Sequence, residues 1–276
     1  MPQAYVLGSP IGHSLSPAMH GAAYVALGLT DWSYAAHTVD ESSFAQFVAG
    51  CGPEVRGLSL TMPLKEIAFT VAEPVSHRAE LAGAINTLVR TESGWLGDNT
   101  DILGVIGALA PEGRVARGRH SGLLLGAGAT GRSAVIALRE LGCRTVTACA
   151  RNPGKALDSL GPLTEKLDVE LTVRELEAWP TVKADLAVST LPPSGARAAT
   201  DVLEAGEADL SGIRLLDVVY ADWPTPLARA AMARGASVVS GLDMLAHQAV
   251  EQVELMTGLR PDWKVLLEAG QAACTG

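Results

Sequence analysis

The sequence predicts an α/β protein of two domains, each built around a mainly parallel sheet. Three observations carry that prediction. Strand-like and helix-like stretches alternate along nearly the whole chain, as sheets with crossover helices require. The loop Gly126-Ala127-Gly128-Ala129-Thr130-Gly131 follows the apolar run Leu123-Leu124-Leu125 and leads into a helix-like stretch, Arg132 to Leu141. In that context the first Gly permits a tight turn, the second lets a pyrophosphate approach the backbone, and the third lets helix and strand pack closely. A plain Gly-rich turn is the alternative; the flanking strand and helix favour a dinucleotide. Finally, the loop opens nearly halfway down 276 residues. The residues upstream of it need a job of their own, and holding the substrate is the obvious one.

In order, residues 3–8 read as a strand and Ser16 to Leu27 as a helix, with Ser16 as N-cap and Pro17 at N1. Trp32 to Thr38 and Val55 to Thr61 read as strands around a helix at Ser43 to Ala49. Lys65 to Val71 and Ser76 to Leu81 read as short helices, and Ala84 to Arg90 with Gly94 to Leu96 as a closing hairpin. Pro111 to Ser121, rich in Gly and Arg, reads as a surface connection. A second βαβ series starts near Gly122, with strands at Thr145–Ala150, Val169–Thr172, Leu186–Thr190, Leu215–Val219 and Ser237–Val239. Helices at Asp243 to Thr257 and Trp263 to Ala272 follow, placed to pack back on the first domain.

Composition narrows the class. Hydrophobic residues make up 48% and charged residues 18%, which suits buried sheets and excludes disorder. No run approaches the roughly 18 apolar residues of a membrane span. Residues 1–8 lack a basic leader and read as a first strand. The four cysteines show no CxxC and no metal-ligand spacing with the six histidines, so no metal is expected and the thiols read as reduced, in a cytoplasmic protein. A net charge of −9 argues against nucleic acid. An anionic ligand must then be drawn in by local groups.

Three polar clusters lie upstream of the Gly-rich loop. In Gly12-His13-Ser14-Leu15-Ser16-Pro17, two hydroxyls at a helix start suit a carboxylate; a plain cap and turn is the alternative. In Ser59-Leu60-Thr61-Met62-Pro63-Leu64-Lys65, a lysine stands just past a strand end, where open α/β sheets place ligands. Partly desolvated there, it suits proton transfer; an exposed first-turn lysine is the alternative. The third cluster is Gly97-Asp98-Asn99-Thr100-Asp101, with Asn86-Thr87 shortly before it; turn chemistry is the alternative reading.

With these motifs the chain resembles the shikimate dehydrogenase family nearly end to end. The resemblance is carried by Gly8-Ser-Pro-Ile-Gly-His-Ser14-Leu-Ser16-Pro, Thr61-Met-Pro-Leu-Lys65, Gly83-Ala-Ile-Asn86-Thr, Asn99-Thr-Asp101 and Gly126-Ala-Gly-Ala-Thr-Gly131-Arg. Asp217-Val-Val-Tyr220, Thr225-Pro-Leu and Gly241-Leu-Asp-Met-Leu-Ala-His-Gln248-Ala complete it. It implies an N-terminal α/β substrate domain (1–102 with 241–276), a Rossmann-type doubly wound NADP domain (103–240), and an active-site cleft between them. The implied reaction is NADPH-dependent reduction of 3-dehydroshikimate to shikimate, in aromatic amino-acid biosynthesis, by a monomer or homodimer. By the same resemblance Ser14 and Ser16 would hold the substrate carboxylate, and Thr61, Asn86, Asp101 and Gln248 the ring hydroxyls. Lys65 would stand at the reacting carbon, with Asp101 orienting it. Tyr220 and Gly241 would lie near the nicotinamide and substrate, and Thr190 in the segment beside the nucleotide.

Departures from the family pattern are few. The family commonly has Asn where this chain has Ser59, and a Pro where it has Asp222. Cofactor choice is legible after the second strand of the nucleotide unit, where a NAD-binding fold places an acid. The stretch Thr147 to Lys155 has none there and two bases, Arg151 and Lys155, which suit a 2′-phosphate. Quinate/shikimate and aminoshikimate dehydrogenases would share most of these motifs. From another class, a catalytically silent nucleotide-binding regulator remains; intact Lys65 and Asp101 argue against it.

Overall fold

The computed structural model describes residues 1–110 and 120–274. Residues 111–119, most of the expected surface connection, lie outside the described residues; His120 and Ser121 already belong to a strand. The chain forms two compact units, Met1–Gly104 with Leu245–Gly276, and Val105–Met244.

The first unit holds β1 (Gln3–Gly8), α1 (Ser16–Ala26), β2 (Ser33–Thr38), α2 (Glu41–Gly50), β3 (Val55–Leu60), α3 (His77–Ala82), β4 (Thr87–Arg90) and β5 (Trp95–Asp98). The next helix is α4 (Asp101–Leu109), whose first residues close this part of the chain. Its sheet runs β2-β1-β3-β4-β5, with β1, β2 and β3 parallel and β4 and β5 antiparallel. Local chemistry sets the helix ends. Asp40 caps α2 by accepting from the Ser43 N–H at 2.9 Å, and Ser43 returns the bond to Asp40 N. Ser76 caps α3, and Gly83 ends it at φ 58°, a left-handed backbone that Gly takes without steric cost. Leu7, Phe44, Leu58, Leu64, Ile85 and Leu88 are fully buried between sheet and helices, each contributing about 1.5–3 kcal/mol.

Strand direction decides where the chemistry falls. Register pairs Leu7 with Leu60, Ser59 with Thr87, and Thr87 with Asp98. The C-terminal ends of β1, β3 and β5 and the N-terminal end of β4 therefore share one edge. The chain order of the parallel part, 2-1-3, puts a topological switch point between β1 and β3. All three polar clusters of the sequence follow or precede strands at that edge.

The second unit holds β6 (His120–Leu125), α5 (Ala129–Glu140), β7 (Cys143–Ala150), α6 (Pro153–Leu167), β8 (Glu170–Glu175), β9 (Leu186–Ser189), α7 (Pro193–Ala205), β10 (Arg214–Asp217), α8 (Pro226–Ala233) and β11 (Ser237–Ser240). Its six strands are all parallel, in the order β11-β10-β9-β6-β7-β8. Counted within the unit this is the doubly wound order 3-2-1-4-5-6, with the switch point between β6 and β9. The chain ends with α9 (Gly241–Thr257) and α10 (Trp263–Cys274), and α10 packs along α1. Among the described residues no helix is long and apolar enough to cross a membrane.

Two local expectations, and the alternative turn reading of the third cluster, need correction. Ser16 is the first helical residue of α1, not its N-cap; Leu15 takes the cap position without a side-chain bond. The Ser16 hydroxyl is instead engaged with Tyr34, and Ser14 Oγ accepts the Ser16 N–H at 3.3 Å. The helix expected at Lys65 to Val71 shrinks to a 3-10 turn, Ile67–Thr70. There the Lys65 carbonyl accepts from Ile85 N at 2.8 Å, so it is withdrawn from helical bonding. Asp101 lies not in a turn but at the first position of α4.

Candidate active site

Four of the expected site residues meet through hydrogen bonds at the shared sheet edge. Lys65, five residues past β3, points its Nζ at Asp101 Oδ2, 2.6 Å away. The pair is largely shielded, with side-chain exposures of 17% and 7%. The other carboxylate oxygen of Asp101 accepts from Asn86 Nδ2 at 2.8 Å. Asn86, just before β4, also donates to Thr100 Oγ1 at 2.9 Å and reaches Gln248 Oε1 at 3.4 Å. Its Oδ1 takes the backbone N–H of Thr100 at 2.7 Å, which fixes the amide's orientation. Gln248, on α9, is held by its own Nε2 bond to Leu245 O, 3.0 Å. The cluster is thus an ammonium, a carboxylate and two amides, with Lys65 retaining partial access to solvent.

Ser14, Ser16 and Thr61 share that edge without bonding to the cluster directly. The segments after β1 and β3 are laced together: Thr61 N donates to Leu7 O, and Ser9 N to Met62 O, both at 3.0 Å. A Cβ on Gly8 would overlap the Thr61 side chain and approach Met62 O to 2.9 Å, so this close approach requires Gly. Ser16 is buried and Ser14 half-buried.

Behind the cluster lies a layer that motif reading missed. Gln252, one turn beyond Gln248 on α9, bonds Ser59, Thr87 and the Asn86 carbonyl. Ser59 also accepts from Tyr34 Oη at 2.6 Å, and His20 stacks on Tyr34 with ring centroids 3.9 Å apart. Complete burial drives the His20 imidazole down to about 3, so it is neutral. The i, i+4 spacing of the two glutamines was the available sequence signal. Nearby, Asp98 is a structural anchor: Arg78 grips it with two bonds and Ser76 with a third, at 2.6 Å. Burial alone would push this carboxyl up; the bonds from Arg78 and Ser76 outweigh it and hold it below its ordinary value.

In the second unit the Gly-rich loop stands at the switch point between β6 and β9. Gly126 has φ +95°, and a Cβ there would come within 2.7 Å of Thr190 Oγ1. A Cβ on Gly131 would come within 3.0 Å of Gly126 O, whereas one on Gly128 would face open space. The first and third glycines are therefore demanded by packing, and the second leaves an opening. Gly128 caps α5 without a side-chain bond. The first-turn N–H groups of that helix suit a phosphate, so the loop fits a dinucleotide. Thr190 is tied to β6 by its Oγ1 bond to Leu125 O, 3.1 Å. Arg151 and Lys155 are exposed just past β7, around Asn152, which caps α6. Tyr220 is half-buried after β10. Gly241 packs so closely on the Val218 carbonyl that any Cβ would overlap it. Asp222 has φ 52°, a left-handed conformation closed to Pro.

Comparison with known proteins agrees with this layout. Residues 6–88 match the family model for the shikimate dehydrogenase substrate binding domain, and residues 241–269 the model for the shikimate 5′-dehydrogenase C-terminal domain. The chain is similar to the crystal structure of Mycobacterium tuberculosis shikimate dehydrogenase, at 42% identity over 99% of both chains with a TM-score of 0.87. It is similar to that of Thermus thermophilus shikimate 5-dehydrogenase in complex with NADP(H) and shikimate, at 34% identity over 99% and 100% of the chains, TM-score 0.83. A shikimate dehydrogenase (NADP(+)) of Methylobacterium radiotolerans is 36% identical over 94% of this chain and 93% of its own. The pentafunctional AROM polypeptide of Candida tropicalis is 32% identical over 274 residues, but the chain spans only 18% of that larger protein.

Proposed function

The chain belongs to the shikimate dehydrogenase family, and on that premise we propose that it catalyses the NADP-dependent, reversible reduction of 3-dehydroshikimate to shikimate. The observation that carries this reading is the shielded Lys65–Asp101–Asn86 cluster at the sheet edge beside the β1/β3 switch point. Reducing a ketone adds a hydride to carbon and leaves negative charge on oxygen. NADPH, when bound, supplies the hydride. The Lys65 ammonium offsets the charge growing on the oxygen and delivers the proton to it, so that ketone, hydride and proton sum to the alcohol. Asp101 holds Lys65 by one oxygen, and the carboxylate accepts a bond from the neighbouring substrate hydroxyl. Asn86, Thr61 and Gln248 bind the remaining ring hydroxyls. Ser14 and Ser16 donate to the substrate carboxylate, the Ser16 hydroxyl turning to it from Tyr34.

On the cofactor side, the N–H groups after Gly128 take the pyrophosphate, and Thr190 flanks it. Arg151 and Lys155 take the 2′-phosphate, as two bases in the acid-free stretch Thr147 to Lys155 suit. Tyr220 and Gly241 line the nicotinamide. The enzyme acts in the cytoplasm as a monomer or homodimer. The deciding experiment is NADP reduction by the purified chain with shikimate, run beside quinate with NAD. Rapid turnover of the first pair and weak turnover of the second is the expected result. Binding of NADP without turnover would make the chain a silent nucleotide-binding regulator.

A further inference from the structure

The hydrogen bonds behind the Lys65–Asp101 pair run in one direction, and we infer that Gln252 is the positioning residue that sets it as far as Asn86, whose own amide the Thr100 N–H holds in the matching sense. Tyr34 Oη donates to Ser59 Oγ at 2.6 Å, and Ser59 donates to Gln252 Oε1 at 2.8 Å. Gln252 Nε2 donates to Thr87 Oγ1 at 3.0 Å, and Thr87 donates to Asn86 Oδ1 at 2.9 Å. Asn86 Nδ2 then donates to Asp101 Oδ1, whose partner oxygen meets Lys65. Every donor from Tyr34 to Asn86 points toward Asp101.

Gln252 decides this because it alone in the chain of bonds is an amide between two hydroxyls. A hydroxyl can turn either way; an amide cannot supply a donor and an acceptor from the same atom. Its orientation is fixed from outside. The Asn86 main-chain carbonyl lies 3.3 Å from Nε2 and would repel an oxygen placed there. On the other side, His20 Nε2 lies 3.3 Å from Oε1. His20 is neutral, and its buried Nδ1 has no hydrogen-bond partner, so the proton sits on Nε2 and faces the Gln252 oxygen. Thr87, receiving a donor from Gln252, sends its own proton on to Asn86 Oδ1 at 2.9 Å, the nearer of two acceptors, since Thr100 Oγ1 lies at 3.4 Å. A reversed amide would claim that proton and withdraw it from Asn86. Ser59 is likewise spent within the chain of bonds, accepting from Tyr34 and donating to Gln252, and acts on substrate only through it.

Solvent cannot repair a break here. Gln252 is 2% exposed, Thr87 0%, Asn86 2% and Ser59 4%. The residue thus acts through Asn86 and Asp101, and the inference rests on their proposed roles.

The test is a cycle of Gln252→Leu, Thr87→Val and the double variant, with Thr87→Ser as the hydroxyl-retaining control. Each single variant should lower kcat/KM for shikimate about tenfold, the size of one lost hydrogen bond, with KM for NADP within about twofold of wild type. The double variant should lose no more than either single, because both cut one line. Thr87→Ser should stay within about twofold of wild type. Wild-type kcat/KM in the single variants overturns the inference, as does a double loss that multiplies to about a hundredfold. If Gln252→Leu does not fold, Thr87→Val, which keeps the side-chain shape, decides alone: no loss overturns the role. A wild type inert with shikimate removes the proposed function and this role with it; an active wild type with unaffected variants removes only the role.

Discussion

Replacing Lys65 by Met keeps an unbranched apolar stem of nearly the same reach and removes the ammonium group with its charge and protons. In the structure the Nζ stands 2.6 Å from Asp101 Oδ2 with 17% of the side chain exposed, so no bulk water takes its place at full strength. A lost acid–base group costs about 10²–10⁴ in rate, or ~2.7–5.4 kcal/mol of barrier at 1.36 kcal/mol per tenfold. The upper half of that range is expected, because in the proposed mechanism the same ammonium both offsets the oxyanion and delivers the proton. Substrate affinity should change far less, since Ser14, Ser16, Thr61 and Gln248 remain. Lys65→Arg should not rescue activity: a planar fork cannot reproduce a point charge wedged against one carboxylate oxygen. The assay is steady-state NADP reduction with shikimate, fitted for kcat and KM separately, with circular dichroism to confirm folding. A folded Lys65→Met enzyme with kcat within about threefold of wild type would refute the reasoning, because no acid–base role is worth so little.

Three further outcomes are expected. Ser14→Ala with Ser16→Ala should weaken shikimate binding by about 2–4 kcal/mol if two charge-assisted bonds are lost, while the methyl ester should bind the wild type poorly and change little; equal binding of acid and ester to the wild type would contradict the assignment. Arg151→Ala should cost roughly 10–150-fold in NADP affinity and leave the KM for NAD nearly unchanged, as bonds to a phosphate that NAD lacks are lost; equal losses for both cofactors would assign Arg151 to the fold. Burial holds the His20 imidazole at about 3, below its ordinary 6.5, so between those values the unfolded chain binds a proton that the folded chain refuses. This contribution is complete above the unfolded value and falls as pH drops toward the folded one, by about 1.4 kcal/mol per pH unit. Denaturant melts at about pH 7 and about pH 4.5 should show that slope, and His20→Phe should flatten it; an unchanged slope would mean that His20 titrates normally.

Much of the fold was legible because it is written in local terms. The Gly-rich loop, its preceding apolar run and the helix after it are contiguous, so their spacing alone implied a strand, a turn and a nucleotide unit. Packing explains why the glycines are there: Gly126 faces Thr190 from a neighbouring strand, and Gly131 faces the Gly126 carbonyl. Helix boundaries were less legible where a distant group takes over a local bond. Ile85 N captures the Lys65 carbonyl and cuts the expected helix to a single turn. Ser16 falls one position inside α1, with Leu15 at the cap, and its hydroxyl is engaged with Tyr34.

The residue types of the site, a lysine after a strand, paired asparagine and aspartate motifs, and two bases without an acid after β7, were determined by the sequence itself. Family resemblance attached roles to them. Only the tertiary structure decided that Lys65, Asn86 and Asp101 meet. They come from β3, β4 and β5, whose ends coincide because β4 runs antiparallel between its neighbours, and strand direction and register are non-local quantities. The line from Tyr34 through Gln252 to Asn86 was likewise invisible beforehand. It joins residues more than two hundred positions apart, and its direction depends on which way a buried amide faces. That is set by one carbonyl and one imidazole brought against it by folding.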